Sequence, residues 1–520
     1  MSAAPEPVGE GRAQTVASRM AGYVRGGGII VPVVTALLAF LVGGIVVLLS
    51  GGDPFATYKA IFNGTGLNWL FPWISSEDRT IAAQNLQQTL LLTTPLILTG
   101  LAVAYAFRAG LFNIGGQGQY LVGSIAAVWV GSSFGGMPHL LHVVLAILAA
   151  KAGGIAIPIL TTVFAFAMSM ILIAITGHNP FTAFRGIFNG TGLNWLFPWV
   201  TGEDRTNAAF NLQQTLILTA TLILTGFAVS FAFKCGLFNI GGQGQYIVGS
   251  IWAVWIGSSF DGMNPFLHIT LAIVVATLAG AAWAGIAGFL KATVGAHEVI
   301  STIMLNWIAI WVGSFLFGLG GPLQNDAQSS VPISNDIVES AKLPILWGDP
   351  LLQGLHTGIF FAIAALVVYW AILNRTTLGY GVRAVGFNPE GARYGGISVR
   401  RNYFLAMAIS GAFAGIAGAI DVLGWQFRMA TGDIQSSQLG FIGIAVALLG
   451  RNTAVGVFLS ALLFGSLVTG TSTRNLDPEV FQPELAFNLT LLIQGLVVLF
   501  VGADLIVLWF LRRLRTRASA

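Results

Sequence analysis

The residues that could do chemistry are few and poorly grouped. His139 and His142 stand three apart, but neither has an acidic or cysteine partner nearby to complete a metal site. Cys235 is the one cysteine, which rules out a disulfide framework within the chain and reads as a small apolar packer. No GxxxxGK[ST] phosphate loop and no nucleophile–base grouping occurs, so no catalytic, metal or cofactor residues are expected. Ionisable residues within the apolar runs are scarce, which argues against a proton relay. Asp421 is the exception, and a structural hydrogen bond is its expected role. What remains is neutral amides. Asn113 and Gln117 sit in the segment GLFNIGGQGQY at Gly110–Tyr120, and Asn239 and Gln243 sit in its exact repeat at Gly236–Tyr246. The glycines around them permit irregular backbone, tolerated at membrane depth only where it is buried or lines a cavity. A cavity walled by amides would suit a neutral, hydroxyl-rich solute. The competing reading is that the amides tie neighbouring helices together. Asn306 and Trp307, inside an apolar run, are further candidates for the same pathway. Glu298, beside His297 at the start of that run, would cap a helix or meet a partner.

The elements that must position these residues are membrane helices. Of 520 residues, 55% are hydrophobic and 8% charged, with a mean hydropathy of +0.80. Soluble domains carry roughly 25% charged residues, so this surface belongs in a bilayer. Long, predominantly apolar runs such as 31–49 and 489–501 argue for helices rather than the alternating strands of a barrel. Sixty-six glycines fit close helix packing. The expected class is an all-α, polytopic membrane protein with about 12–14 spans. The net charge of +4 does not point to nucleic acid, because the basic residues flank apolar runs, where they set orientation.

The first half is a tandem duplication. Ile61–Trp73 and Ile187–Trp199 both read IFNGTGLNWLFPW, an offset of 126 residues. Across Pro54–Phe134 and Pro180–Phe260, 60 of 81 positions are identical. The expected organisation is a polar cytoplasmic tail at 1–28, a first copy at 29–154 and a second at 155–280. The remaining membrane domain covers 281–511, and a basic cytoplasmic C-terminus covers 512–520.

Apolar length and positive loops give the spans. They are expected at 29–49, 86–107 and 114–134, with a short segment at 139–150. The second copy repeats them at 155–176, 212–233, 240–260 and 266–290. The single-copy region adds 299–319, 356–373, 403–423, 439–449, 453–469 and 486–511. The segments 51–85 and 320–353 are expected to be external.

The loop 374–402 carries Arg375, Arg383, Arg393, Arg400 and Arg401, which places it in the cytoplasm. Within it Asn388 reads as a helix cap, Pro389 as the first helical residue and Glu390 as a first-turn acid. The helix would run through Ala392 and Arg393 to Tyr394 and stop at Gly395–Gly396. The loop is either a solvated positive segment or a docking helix for a soluble partner.

The stretch LGYGVRAVGFNPEGARYGGI in this loop resembles the cytoplasmic segment of permease subunits of ABC importers. The branch is the one that moves branched-chain amino acids, simple sugars and nucleosides. The GLFNIGGQGQ segments, HEVISTIMLNWIA at His297–Ala309 and GFIGIAVALLGRN at Gly440–Asn452 resemble the same branch, closest to its nucleoside and simple-sugar type. Removing one 126-residue copy from 520 leaves 394, a length suited to the larger permease of a heterodimeric pair. The duplication is not expected from the family.

The resemblance implies a multi-pass permease of the bacterial inner membrane that is not itself an enzyme. A separate ABC ATPase subunit would use ATP and dock on Gly386, Asn388, Pro389, Glu390, Ala392, Arg393, Tyr394 and Gly395. A second permease subunit and an external solute-binding lipoprotein would complete the importer. The alternative is a secondary transporter or channel for a small neutral solute. Its repeats would often be inverted and span the chain, whereas these are tandem and confined to the first half.

Overall fold

Among the described residues, the long apolar runs form helices bounded by polar, proline or glycine residues. The structure, a computed structural model, describes residues 30–73, 75–108, 116–133, 180–349, 354–470 and 472. The chain divides into two units, Met1–Pro158 and Ile159–Ala520. The expected segments 139–150, 155–176 and 486–511 lie outside the described residues, as do the N-terminal tail and the basic C-terminus.

The first unit contains α1 (Ile30–Leu49), α2 (Pro54–Gly64), α3 (Ser76–Arg108) and α4 (Gly116–Ser133). Asp53 starts α2 by accepting the Phe55 and Ala56 N–H groups at 2.8 and 3.3 Å, with Pro54 in the first turn. The chain then turns at Gly66, which has φ +73°, makes a 3₁₀ turn at Leu67–Leu70 and returns as α3. The Thr89 hydroxyl donates to the Thr65 carbonyl at 2.9 Å and closes the hairpin. A Cβ on Gly66 would sit 2.6 Å from Leu86 Cα, so only glycine fits. The segment 51–85, expected as an external loop, is therefore largely a folded helical hairpin. Its return helix starts ten residues before the expected span, because a polar first turn extends an apolar helix at no cost to its hydrogen bonds.

The second unit repeats this hairpin with α5 (Pro180–Gly190), the 3₁₀ turn Leu193–Leu196 and α6 (Gly202–Lys234). Gly192 has φ +74°, and Thr215 donates to the Thr191 carbonyl at 2.8 Å. The same sequence thus builds the same local structure twice, but burial differs. The apolar window of α6 is 83% buried and that of α3 is 0% buried.

After α6 come α7 (Gly242–Ser259), α8 (Pro265–Val294) and α9 (Glu298–Phe317). A two-stranded antiparallel ribbon, β1 (Ile345–Trp347) with β2 (Leu355–His356), precedes α10 (Gly358–Arg375). Then follow α11 (Thr377–Phe387), α12 (Pro389–Tyr394), α13 (Val399–Asp421), α14 (Thr431–Ser436), α15 (Leu439–Leu449) and α16 (Ala454–Gly470). The core forms around α6 and α13. Phe227 and Phe231 of α6 pack with Tyr369 of α10 and Phe413 of α13; Phe227 stacks on Tyr369 at 4.5 Å. Helices α7 and α8 both approach α13 at Gly415. Cβ atoms on Gly249 and Gly280 would lie 2.6 and 2.8 Å from its Cα, so glycine sets this spacing.

Seven helices among the described residues are long and apolar enough to cross a bilayer, and three shorter apolar helices accompany them. The chain is an all-α polytopic membrane protein. The small ribbon is a departure from the sequence expectation, and so is the folded segment 320–349. That segment lies over the end of α13 through backbone bonds from Ser334 to Met429, Ile337 to Phe427 and Leu343 to Leu423, at 2.8–2.9 Å.

Candidate functional site

Three groupings of the candidate residues emerge. The first is the arginine-rich segment between α10 and α13. The Asn388 side chain accepts the Gly391 N–H at 3.0 Å, Pro389 opens α12, and Gly395 follows its last residue. Glu390 and Arg393, one turn apart, approach to 3.6 Å on the exposed face. Ala392 points inward and is buried, whereas Tyr394 is 92% exposed. Gly386 ends the preceding helix α11 against the last turn of α6. A Cβ there would come within 2.9 Å of the Cys235 carbonyl carbon. The segment is thus anchored on α6 at Gly386 and presents aromatics outward. Sequence reasoning missed α11 and with it Phe387, which is 95% exposed. An isolated aromatic just before a helix cap was the available signal. At the same end of the bundle, Glu298 pairs with Lys291 at 2.8 Å. It is therefore an ion-pair partner between α8 and α9 rather than a cap; His297 occupies the cap position.

The second grouping is a buried polar knot around the irregular start of α7. Asn239 Nδ2 donates to Gln245 Oε1 at 2.9 Å and to Ser410 Oγ at 2.6 Å. Asn239 Oδ1 accepts from the Gly241 N–H and from Gln245 Nε2 at 2.9 and 3.0 Å. Ser410 in turn donates to the Ala228 carbonyl of α6. Gln243 Oε1 accepts the Gly440 N–H of α15 at 2.9 Å. Asn306 Oδ1 accepts the Gly244 N–H at 2.7 Å, and its Nδ2 donates to the Ile240 carbonyl at 2.9 Å. Asn239 and Gln243 have no exposed surface and Asn306 is 2% exposed. Through these bonds Asn239 and Gln243, candidates in the sequence for the wall of a cavity or for ties between helices, fasten α7 to α6, α13 and α15. Asn113 lies outside the described residues, and Gln117 falls in the first turn of α4. Asp421 is buried and accepts from the Tyr246 hydroxyl and, at 2.5 Å, from Gln426.

The third grouping is a groove of about 410 Å³ between α9 and the α14–α15 break. Trp307 and Trp311, one turn apart on α9, line one side and are 55% and 61% exposed. Phe441, Gln435 and Gln438 line the other, and Asn306 backs the groove. Ser437 sits in the break, where the helix stops at Ser436 and resumes at Leu439. It also borders a second recess of about 390 Å³ that includes Gln426, Arg428 and Asp433. Of the groove's residues, the sequence singled out only Asn306 and Trp307. The polar triplet Ser436–Gln438 inside an apolar stretch was the signal for the break.

The family model described as "Branched-chain amino acid transport system / permease component" matches residues 211–502. The guanosine ABC transporter permease protein NupP of Bacillus subtilis is 36% identical over 365 residues, covering 70% of this chain and 97% of NupP. The nucleoside permease protein NupB of Lactococcus lactis is 32% identical over 343 residues, covering 64% and 88%. The glucose permease protein TsgB13 of Haloferax volcanii is 32% identical over 355 residues, covering 66% and 86%. No solved structure matches. A multi-pass helical bundle, a capped helix between arginine-flanked spans and matches along most of each relative converge on one family. The chain belongs to the permease components of the branched-chain amino acid transport system family, multi-pass proteins of the bacterial plasma membrane.

Proposed function

We propose that the chain is the permease subunit of an ATP-driven importer for a small neutral solute, a nucleoside or a simple sugar. The observation that carries this reading is α12. It is a short capped helix on an arginine-rich segment, rooted on the core helix α6 through Gly386 and exposing Phe387 and Tyr394. Its geometry suits docking of a separate ATPase subunit. Asn388, Pro389, Glu390 and Gly395 shape the helix, and Arg393 and Tyr394 face the partner. A push on α12 would reach α6 and, through its packing, α15 and the groove. A second permease subunit would close the open side of that groove, and an external solute-binding lipoprotein would deliver the solute. Asn306 and Trp307 border the pathway, while Asn239 and Gln243 hold the backbone behind it. ATP is used by the partner subunit.

Co-expression with a partner ABC ATPase subunit, followed by reconstitution into liposomes, tests this reading. The expected result is solute uptake that requires ATP and every subunit, with no ATP hydrolysis by the isolated chain. Robust hydrolysis by the isolated chain, or uptake without the ATPase, would overturn it.

A further inference from the structure

We propose that the recess between α5 and the first turns of α6 binds the headgroup of a zwitterionic phospholipid of the outer leaflet. The inference goes beyond the permease reading and concerns a different part of the bundle. The recess has a volume of about 850 Å³. One face of each helix lines it, with Arg185, Phe188 and Asn189 on α5 and Asp204, Asn207 and Asn211 on α6, spaced three and four residues apart. Its first support is depth. The last turn of α6 packs on Gly386 of the arginine-rich segment, so the first turn lies at the external end. The 33 residues of α6 rise about 50 Å, whereas the hydrocarbon layer is about 30 Å thick and takes about 20 residues. Counted back from Lys234, those 20 end near Thr215. Residues 204–211 therefore stand roughly 6–16 Å further out, at and just above the headgroup layer. Trp199 and Leu196, exposed on the turn between the helices, suit that interfacial zone.

The second support is charge. Arg185 and Asp204 are the charged residues of the lining, one of each sign, and neither has an ion-pair partner among the described residues. Arg205 is committed elsewhere, donating to the Val200 carbonyl at 3.3 Å and lying over the Trp195 ring. A nucleoside or a simple sugar brings no charge to meet either residue. A zwitterionic phospholipid brings both. Its phosphodiester suits the Arg185 guanidinium, which grips phosphate oxygens through two hydrogen bonds, and its ammonium suits Asp204. The stacked rings of Phe197 and Trp199, 4.6 Å apart, offer a π face to the same ammonium. Asn194 Oδ1, also in the lining, is buried without a hydrogen-bond partner among the described residues, and an ammonium N–H would satisfy it. An anionic lipid has nothing to offer Asp204 and is repelled by it.

Native mass spectrometry of the full-length chain, released from detergent after incubation with dioctanoyl phosphatidylethanolamine, tests the inference. The first copy carries Lys59 and Asp78 at the matching positions, so the readout is the difference between variant and wild type rather than the total lipid count. Arg185→Gln should retain one lipid fewer than the wild type. The wild type should retain one dioctanoyl phosphatidylglycerol fewer than phosphatidylethanolamine, and Asp204→Asn should make the two counts equal. Both side chains are exposed, so neither substitution should disturb the fold. Glycerophosphoethanolamine and valine, each in hundredfold excess, should leave the count unchanged, because they carry the charges without the acyl chains. Loss of the lipid to either soluble zwitterion would assign the recess to a soluble ligand and overturn the lipid. Equal counts of the two lipids on the wild type would overturn the charge pairing. Equal phosphatidylethanolamine counts on the wild type and Arg185→Gln would overturn the site. None of these outcomes depends on transport, so the permease reading stands or falls separately.

Discussion

Asn306 and Trp307 are adjacent in sequence but differ in what holds them. Asn306 is buried and bonded to the backbone at Gly244 and Ile240, whereas Trp307 is more than half exposed. Asn306→Leu should strand one N–H and one carbonyl, each costing about 1–3 kcal/mol. Trp307→Ala should leave stability within about 0.5 kcal/mol, as expected of an exposed site. Thermal unfolding of the two variants in detergent separates scaffold from lining; equal losses would refute the distinction. His356 supplies a pH signature. It lies before α10, its Nδ1 accepts the Gly358 N–H at 3.1 Å, and burial pushes its pKa down to about 4 from 6.5. Above pH 6.5 the ring is neutral in folded and unfolded chains alike. As pH falls from 6.5 to 4 only the unfolded chain gains the proton, so stability should decline across that window and level off below it. A melting curve measured at each pH checks this, and His356→Gln should flatten the slope. The sequence marked the amides as unusual. It did not reveal which of them touch a cavity, because one amide in a membrane can serve a solute or a neighbouring backbone equally well.

The helical elements were legible where local chemistry decides them. Asn388, Pro389 and Gly395 bound α12 as their residue types require, since caps act within one turn. Helix α11 was hidden because Gly379, Gly381 and Gly386 lower helix propensity. The structure uses those glycines for close approach, Gly386 to α6 and Gly381 to Asn402. If α12 is the docking element, Phe387→Ala and Tyr394→Ala should each weaken ATPase association by about thirty-fold, the effect of a typical interface hot spot. Neither change should alter the amount of permease in the membrane. Ala392→Pro removes the 2.9 Å bond from the Ala392 N–H to the Asn388 carbonyl and should break α12 at a cost of about 3 kcal/mol. Co-purification with the ATPase measures both effects, and retention of the ATPase by all three variants would exclude this element from coupling.

For the whole molecule, the duplication was plain in the sequence, but the unequal burial of its copies was not. The copies differ where α6 meets the core. Phe227, Ser230, Phe231 and Thr221 correspond to Leu101, Ala104, Tyr105 and Pro95. At the Phe231 position, with no exposed surface, a tyrosine would bring an unplanned hydroxyl into the core. The second copy is therefore expected to be the working one. Deleting 29–154 should leave an inserted permease that transports. Asn239→Ala with Gln243→Ala should lower uptake, while Asn113→Ala with Gln117→Ala should not; the reverse ranking in an uptake assay would reassign the roles. The aromatic cluster around Tyr369 also bears on biosynthesis. At about 5–20 residues per second, the first copy leaves the ribosome roughly 6–25 s ahead of the second. That lead is of no use at the core, because Tyr369, Phe413 and the helix Ala454–Gly470 are translated after both copies. Birth order cannot choose between the two hairpins, so the choice falls to the side chains that differ between the two copies where they meet the core.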